Sequence, residues 1–335
     1  MKAARLAALL AALTLPGAGM ASDLTYKIFG FEDLEGWEED DHQAALDTFL
    51  NTCRDLKAPD WEAICVDDGS TDATAFLVRA AARDDRRIRL VRNTSKGPSA
   101  ARNMAALKCA TGDFLAFCDA DDLWVPGKLL QLRTAFTDRS VDAIYGRIGF
   151  FNKVPGDTGV TSSVPKGDLT IDMLLGENPV CTMSNISLRR GVFQRSGGFD
   201  PAMVHNEDLD WLIRLVGQGA RVVGIDQMQT WYRTSPTGLS TDLGKMASGR
   251  AQALRTAAGF GVFPSGRSHA VHYRYLARRA LRIAPERGAA LRFAISGLLQ
   301  SPSGFLCPLR RGLPTLLAAV VAPLLPRGFR RSLFS

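Results

Sequence analysis

Two apolar runs in this sequence stop abruptly in acids. Cys65-Val66 leads into Asp67-Asp68, and Phe117-Cys118 leads into Asp119-Ala120-Asp121-Asp122. Between them lies a loop with Lys96-Gly97 and then Arg102, and a further acidic pair, Glu207-Asp208, opens a later apolar pattern. Carboxylates crowded after an apolar strand repel one another unless a cation or a donor-rich ligand offsets them. A hard divalent ion does so when one or two carboxylates hold it and the oxygens of a diphosphate complete its shell. Ligands of open α/β sheets gather beyond the carboxyl ends of the strands. Acids at two strand ends of one sheet therefore point to a phosphorylated ligand with its metal. A solvated acidic turn is the plain alternative for either cluster alone. For Glu207-Asp208 it is a helix N-terminus that favours acids.

These residues need strands to carry them. The pattern gives strands at Glu62–Val66, Ile88–Val91, Asp113–Cys118 and Ala143–Phe151. Helices alternate with them: one capped by Ser70 or Thr71 and running to about Arg83, one from Pro98 through Cys109, and one from about Pro126 to Phe136. Such alternation implies an α/β fold with a mostly parallel sheet and helices on both faces. Residues 152–168 read as a surface loop. Glu207–Gln218 reads as a helix with Leu209, Leu212, Ile213 and Val216 inward, and Val222–Ile225 and Thr230–Arg233 as short strands.

Four segments in fixed order, WEAICVDDGSTDAT, GPSAARNMA, GDFLAFCDADDLWVPGKL and GGFD…NEDLDWLIRL, resemble the family 2 glycosyltransferases of the nucleotide-sugar-binding (GT-A) fold. The resemblance covers about residues 59–241. It implies that Asp67 and Asp68, with Ser70 in the same turn, lie by the base and ribose of a nucleotide-sugar donor. It implies that Arg102 and Asn103 line the nucleotide side. Asp119 and Asp121 would form the DxD element that holds Mn2+ or Mg2+ on the diphosphate, Asp119 also touching the donor. Asp208 matches the family's general base. Glu207 beside it would raise that base's pKa or contact acceptor hydroxyls. Chemically, one base opposite one metal-held leaving group implies single displacement with inversion at the anomeric carbon. Two departures stand out. No apolar strand with a Pro-containing turn directly precedes Trp61, so the sheet is expected to lack its first, central strand, and an inactive nucleotide-sugar-binding or scaffold protein is the alternative. Ser235 in TWYRTSPTGLST stands where a His is often found.

The chain has 335 residues with 46% hydrophobic and 22% charged, ordinary for a globular protein. Its six cysteines form no CxxC pair and require no oxidising compartment. Residues 1–22 have the layout of a secretory signal peptide: Lys2 and Arg5, an apolar run Leu6–Leu15, then small residues. Residues 23–57 are acidic, with a helical pattern from His42 to Leu56, and resemble the mature start of membrane-bound lytic transglycosylase A; this admits a peptidoglycan lytic enzyme as a third reading. The break between Leu56 and Trp61 suggests a fusion or truncation. Residues 58–244 would be the GT-A domain, and 245–335 a basic helical tail.

The net charge of +7 is unevenly spread. From Lys245 to Ser335 fifteen Lys and Arg face one acid, Glu286, a local charge of +14, so the remainder carries −7. The apolar run Leu313–Leu325 sits between Arg310-Arg311 and Arg327, Arg330 and Arg331. It is too short to span a bilayer, but suits peripheral contact with an anionic membrane surface. A helical subdomain is the alternative, and no nucleic-acid-reading motif accompanies the basic tail. The expected partners are a nucleotide-sugar donor and a glycan or lipid-linked acceptor, in cell-surface polysaccharide synthesis at the cytoplasmic face of the inner membrane. The signal-like segment conflicts with that location.

Overall fold

The computed structural model describes residues 9–15, 61–203, 205–234, 243–283 and 288–325. The acidic segment with its His42–Leu56 helix, and Ser235, lie outside the described residues. The chain divides into two units, residues 1–169 with 179–240, and residues 170–178 with 241–335.

The first unit is built on one eight-stranded sheet. Its strands are β1 (Leu9–Leu15), β2 (Glu62–Asp67), β3 (Ile88–Arg92), β4 (Phe114–Cys118), β5 (Leu123–Trp124), β6 (Ala143–Phe151), β7 (Ile186–Arg189) and β8 (Val222–Arg233), in the order β3-β2-β1-β4-β7-β6-β8-β5. β2 pairs parallel with β3, and β6 with β8; the other pairings are antiparallel. The expectation of a mostly parallel sheet therefore holds for direction and fails for neighbours. Followed through these pairings, β2, β3, β4, β6 and β8 all point one way. β1 and β7 slip in antiparallel between them, and β5 lines the edge. A neighbour-by-neighbour parallel sheet would need the two inserted strands to run the other way.

The expected gap at the centre of the sheet is filled. β1, from the apolar run near the start of the chain, occupies the slot between β2 and β4, with Leu10 opposite Val66 and Ala12 opposite Phe117. An unfilled slot would leave both neighbours with unpaired main-chain groups in the middle of the sheet.

Helices α1 (Thr74–Asp84), α2 (Pro98–Asn103, continued by a π turn Met104–Cys109), α3 (Lys128–Ala135), α4 (Ile171–Gly176), α5 (Arg190–Arg195) and α6 (Glu207–Gly217) follow their strands. α1 starts later than the Ser70–Thr71 cap implied, because the main chain at 69–70 is drawn into a turn on Asp67. The amide of Thr74 instead donates to Asp72 at 3.0 Å. The two expected late strands are one, since β8 stays parallel to β6 along its length with an irregular register near Arg147. Trp61, Ala63, Cys65, Ala116, Trp124, Leu129, Leu132 and Ile144 form a buried core with Phe136 and Val141.

The second unit contains α4, α7 (Leu243–Gly259), α8 (Gly266–Ile283), α9 (Ala289–Gln300), α10 (Pro302–Leu306) and α11 (Leu309–Val321). Small residues let these helices approach closely: Ala270, Ala280, Ala290, Ala294 and Ala319 are buried around Phe305. Buried Arg274 reaches the carbonyls of Gly304 (3.2 Å), Phe305 (3.0 Å) and Cys307 (2.5 Å), which ties α8 to α10.

Candidate active site

β2 and β4 point the same way, so their acids emerge at one edge of the sheet. Asp67 closes β2 and turns the chain sharply. Its Oδ1 accepts the amides of Ser70 (2.8 Å) and Gly69 (3.2 Å), and Gly69 has φ of +93°, where a side chain is strained. Burial pushes the Asp67 carboxyl up, but the hydrogen bonds from Ser70 and Gly69 and the charge of Arg92 outweigh it and leave its pKa lowered. Asp68 accepts from Asn93 Nδ2 (2.7 Å) and from the amide of Gly97 (3.0 Å), and so fixes the loop that leads into α2.

Arg102, on α2, joins two of the acid clusters. Its Nη2 donates to Asp119 Oδ1 at 2.8 Å and its Nη1 to Glu207 Oε1 at 2.9 Å, with the side chain buried. Burial works against its charge, but the two carboxylates more than compensate and hold its pKa above the usual arginine value. Removing one partner of such a buried arrangement costs about 3–5 kcal/mol. The arginine therefore fixes the end of β4 beside the start of α6.

Asn103 has a different job. Its Nδ2 donates to the carbonyl of Phe199 (2.7 Å) and its Oδ1 accepts that residue's amide (2.9 Å). The side chain braces the loop before α6. The loop fits only because position 198 is glycine: φ is +70° and an added Cβ would lie 2.4 Å from Asn103 Oδ1.

The acid turn after β4 is held from below. The Asp119 amide donates to Ser184 Oγ at 2.8 Å. Asp122 is buried and accepts from Thr182 Oγ1 (2.9 Å) and the Arg233 amide (3.2 Å). Burial raises its carboxyl pKa well above the usual range, and the neighbouring Asp121 and Asp119 raise it further. Three carboxyl groups, Asp119, Asp121 and Asp122, are thus crowded at this turn, and the crowding favours the protonated form of the buried one. Among the described residues no three His, Cys, Asp or Glu side chains form a metal cage. Two carboxylates, Asp119 and Asp121, match the donor set of a hard cation that takes its remaining ligands from phosphate oxygens and water.

α6 presents Glu207 and Asp208 in its first turn. Asn206 before it has φ of +59°. Burial first, and then the Glu207 charge, lift the Asp208 carboxyl to about 7, against lesser opposition from the amides of Leu209 and Asp208 and from Arg102. A carboxylate poised near neutrality suits proton abstraction. The helix is anchored behind the pair. Trp211 Nε1 donates to Ser196 Oγ (2.9 Å), and Arg214 donates to the carbonyls of Ser196 and Gly198, both at 2.7 Å. Trp211 also packs on Phe199, ring centroids 4.9 Å apart, and Phe199 packs on Phe117 of β4 at 5.8 Å.

The chain is 30% identical over 184 residues to the Escherichia coli UDP-Glc:alpha-D-GlcNAc-diphosphoundecaprenol beta-1,3-glucosyltransferase WfgD, spanning 54% of this chain and 69% of the relative. The chain belongs to glycosyltransferase family 2. The family described as Glycosyl transferase family 2 matches residues 38–197. The glycosyltransferase is also 26% identical over 205 residues to the putative teichuronic acid biosynthesis glycosyltransferase TuaG of Bacillus subtilis, covering 60% of this chain and 79% of TuaG. The fold is shared with the crystal structure of S. aureus TarS 1–349, at a TM-score of 0.53 and 14% identity over 84% of this chain and 88% of that one.

Several residues that shape this family 2 site carry no obvious signal in the sequence. Lys128 is fully buried. Its Nζ donates to the Ser184 carbonyl (2.5 Å) and Thr230 Oγ1 (3.3 Å) and lies 4.4 Å from the centre of the Trp124 ring. Trp124 Nε1 (3.0 Å) and Thr230 Oγ1 (2.9 Å) donate to the same carbonyl. Three donors thus hold the residue that holds Asp119. Arg233 Nε donates to the Asp121 carbonyl at 3.2 Å. The run WVPGKL and the TWYR strand contain these residues, but only their cross-chain partners give them a role.

Proposed function

We propose that this glycosyltransferase is a metal-dependent, inverting enzyme that moves a sugar from a nucleotide-sugar donor to a glycan or lipid-linked acceptor in cell-surface polysaccharide synthesis. The observation that carries the reading is Arg102, whose two hydrogen bonds set the Asp119 turn beside the Glu207-Asp208 pair. The similarity to WfgD favours a uridine-diphospho sugar and a diphosphate-linked lipid acceptor. No described helix is long and apolar enough to cross a membrane, and we place the enzyme peripherally at the cytoplasmic face, where nucleotide sugars are made.

In this mechanism the Asp67–Ser70 turn and Asp68 receive the nucleoside. Asp119 and Asp121 would hold Mn2+ or Mg2+, whose charge, when bound, stabilises the negative charge that grows on the departing diphosphate. Asp208 accepts the proton of the acceptor hydroxyl as that oxygen bonds to the anomeric carbon. The bond from this carbon to the diphosphate oxygen breaks, and its electron pair leaves with the nucleoside diphosphate. Attack opposite the leaving group inverts the centre, and no enzyme nucleophile takes part. Glu207 acts on the base by charge and is itself steadied by Arg102.

β1 fills the central slot of the sheet, which supports the catalytic reading; the inactive nucleotide-sugar-binding scaffold is the alternative that the turnover assay decides. The test is release of uridine diphosphate from a panel of uridine-diphospho sugars with Mn2+ and a lipid-diphosphate N-acetylglucosamine acceptor. Acceptor-dependent release that Asp208→Asn abolishes is expected. Donor binding without turnover over the whole panel would refute the catalytic reading.

A further inference from the structure

The second unit exposes apolar side chains in a pattern that its own packing does not use. On α11, Leu309, Leu313, Leu317 and Val320 are each 47–62% exposed. They follow at i, i+4, i+8 and i+11, which confines them to an arc of about 80° at 3.6 residues per turn. Gly312, Thr315 and Ala319 of the same helix are buried on another side. The stripe continues into Leu324, 82% exposed. α9, which packs against α11, exposes Ile295 and Leu299 in the same i, i+4 spacing. A water-soluble surface has no need of such a row.

We propose that this stripe on α11 is the surface by which the enzyme docks on an anionic lipid bilayer, lying flat with Leu313 and Leu317 among the acyl chains. The inference rests on the peripheral-membrane reading above and names its surface and lipid class. Charge decides the occupant. Exposed Arg310 borders the stripe, and Arg311 next to it faces Glu177 at 3.8 Å. Arg327, Arg330 and Arg331 follow in the sequence, in a tail whose charge is +14. Anionic headgroups neutralise that charge. A second copy of the chain would bring like charge against like charge. A helix of 13 residues is about 20 Å long, too short to span the hydrocarbon core but well suited to the interface.

The test is sedimentation of the full chain with vesicles of phosphatidylcholine alone or mixed with phosphatidylglycerol, at low and high salt. Binding to the mixed vesicles is expected, weakened by salt and at least about tenfold weaker to phosphatidylcholine alone. Leu313→Ser with Leu317→Ser should weaken it about tenfold or more, and Arg310→Gln should reduce it less and flatten its salt dependence. These positions are exposed, so far-ultraviolet circular dichroism should be unchanged. No vesicle binding, equal binding to both lipids, or binding that ignores the double substitution would overturn the proposal. So would a dimer in solution that the double substitution splits, which would give the stripe to a second copy. Nucleotide release with a short soluble acceptor, measured on the same preparations, reports the catalytic reading separately.

Discussion

Glu207 should govern the pH at which the enzyme switches on. The Asp208 carboxyl is held near 7 by burial and, next, by the Glu207 charge. Only its ionised form can accept the acceptor's proton, so kcat/KM should fall about tenfold per unit of pH below 7. Replacing Glu207 with Gln removes the like charge and frees Arg102 from one of its two carboxylates. Both changes favour ionised Asp208, so the limb should move to lower pH by on the order of one unit, equivalent to about 1.4 kcal/mol. The assay is initial-rate nucleotide release between pH 5 and 9 under saturating metal, with donor binding measured in parallel. The plateau of Glu207→Gln is expected to fall, since Arg102 loses a partner, but the position of the limb is independent of its height. A limb that stayed in place, moved to higher pH, or was missing from the parent enzyme would refute the assignment of Asp208 as the base lifted by Glu207.

Other substitutions probe neighbouring parts of the site. Asp208→Asn should abolish transfer with donor binding nearly intact, as isothermal titration would show. It should also stabilise the protein at high pH. The folded-state pKa lies above the ordinary 3.8, so stability is lost as pH rises from about 4 through 7; the thermal midpoint of Asp208→Asn should exceed the parent's at pH 8 and match it at pH 4. Asp121→Asn should weaken donor binding in the presence of Mn2+ and leave the weaker binding in chelator unchanged; equal losses in both would argue against a cation there. Gly198→Ala, with φ of +70° and a Cβ 2.4 Å from Asn103 Oδ1, should destabilise by about 1–3 kcal/mol in a denaturant titration.

How much of this was legible beforehand depended on whether a feature is local. The strands at 62–67, 88–92, 114–118 and 143–151 and the acids that end two of them follow from runs of apolar residues and their punctuation. The direction of β2, β3, β4, β6 and β8 follows from the helices between them. β1 could not be read, because its partners are some fifty residues and more away and an apolar run of that length also suits a signal peptide. β7 was missed because Ile186–Arg189 is only four residues long, too short for a period to show, and its pairing with β4 and β6 is non-local. Asn103 sits in the expected motif, yet its role is set by Phe199, ninety-six residues away. Lys128 stands in one of the family segments, but its burial against Trp124, Ser184 and Thr230 is a property of the assembled fold.

The most direct test is the configuration of the sugar that is transferred. Arg102 sets the helix turn that carries Asp208 beside the Asp119 turn, and the mechanism proposed for them is a single displacement. A donor whose sugar is α-linked to its diphosphate should therefore give a β-linked product, read by proton nuclear magnetic resonance from the coupling of the anomeric hydrogen in the first minutes of reaction. An α-linked product at that stage would require an intermediate on the enzyme or front-face attack, and would contradict the account.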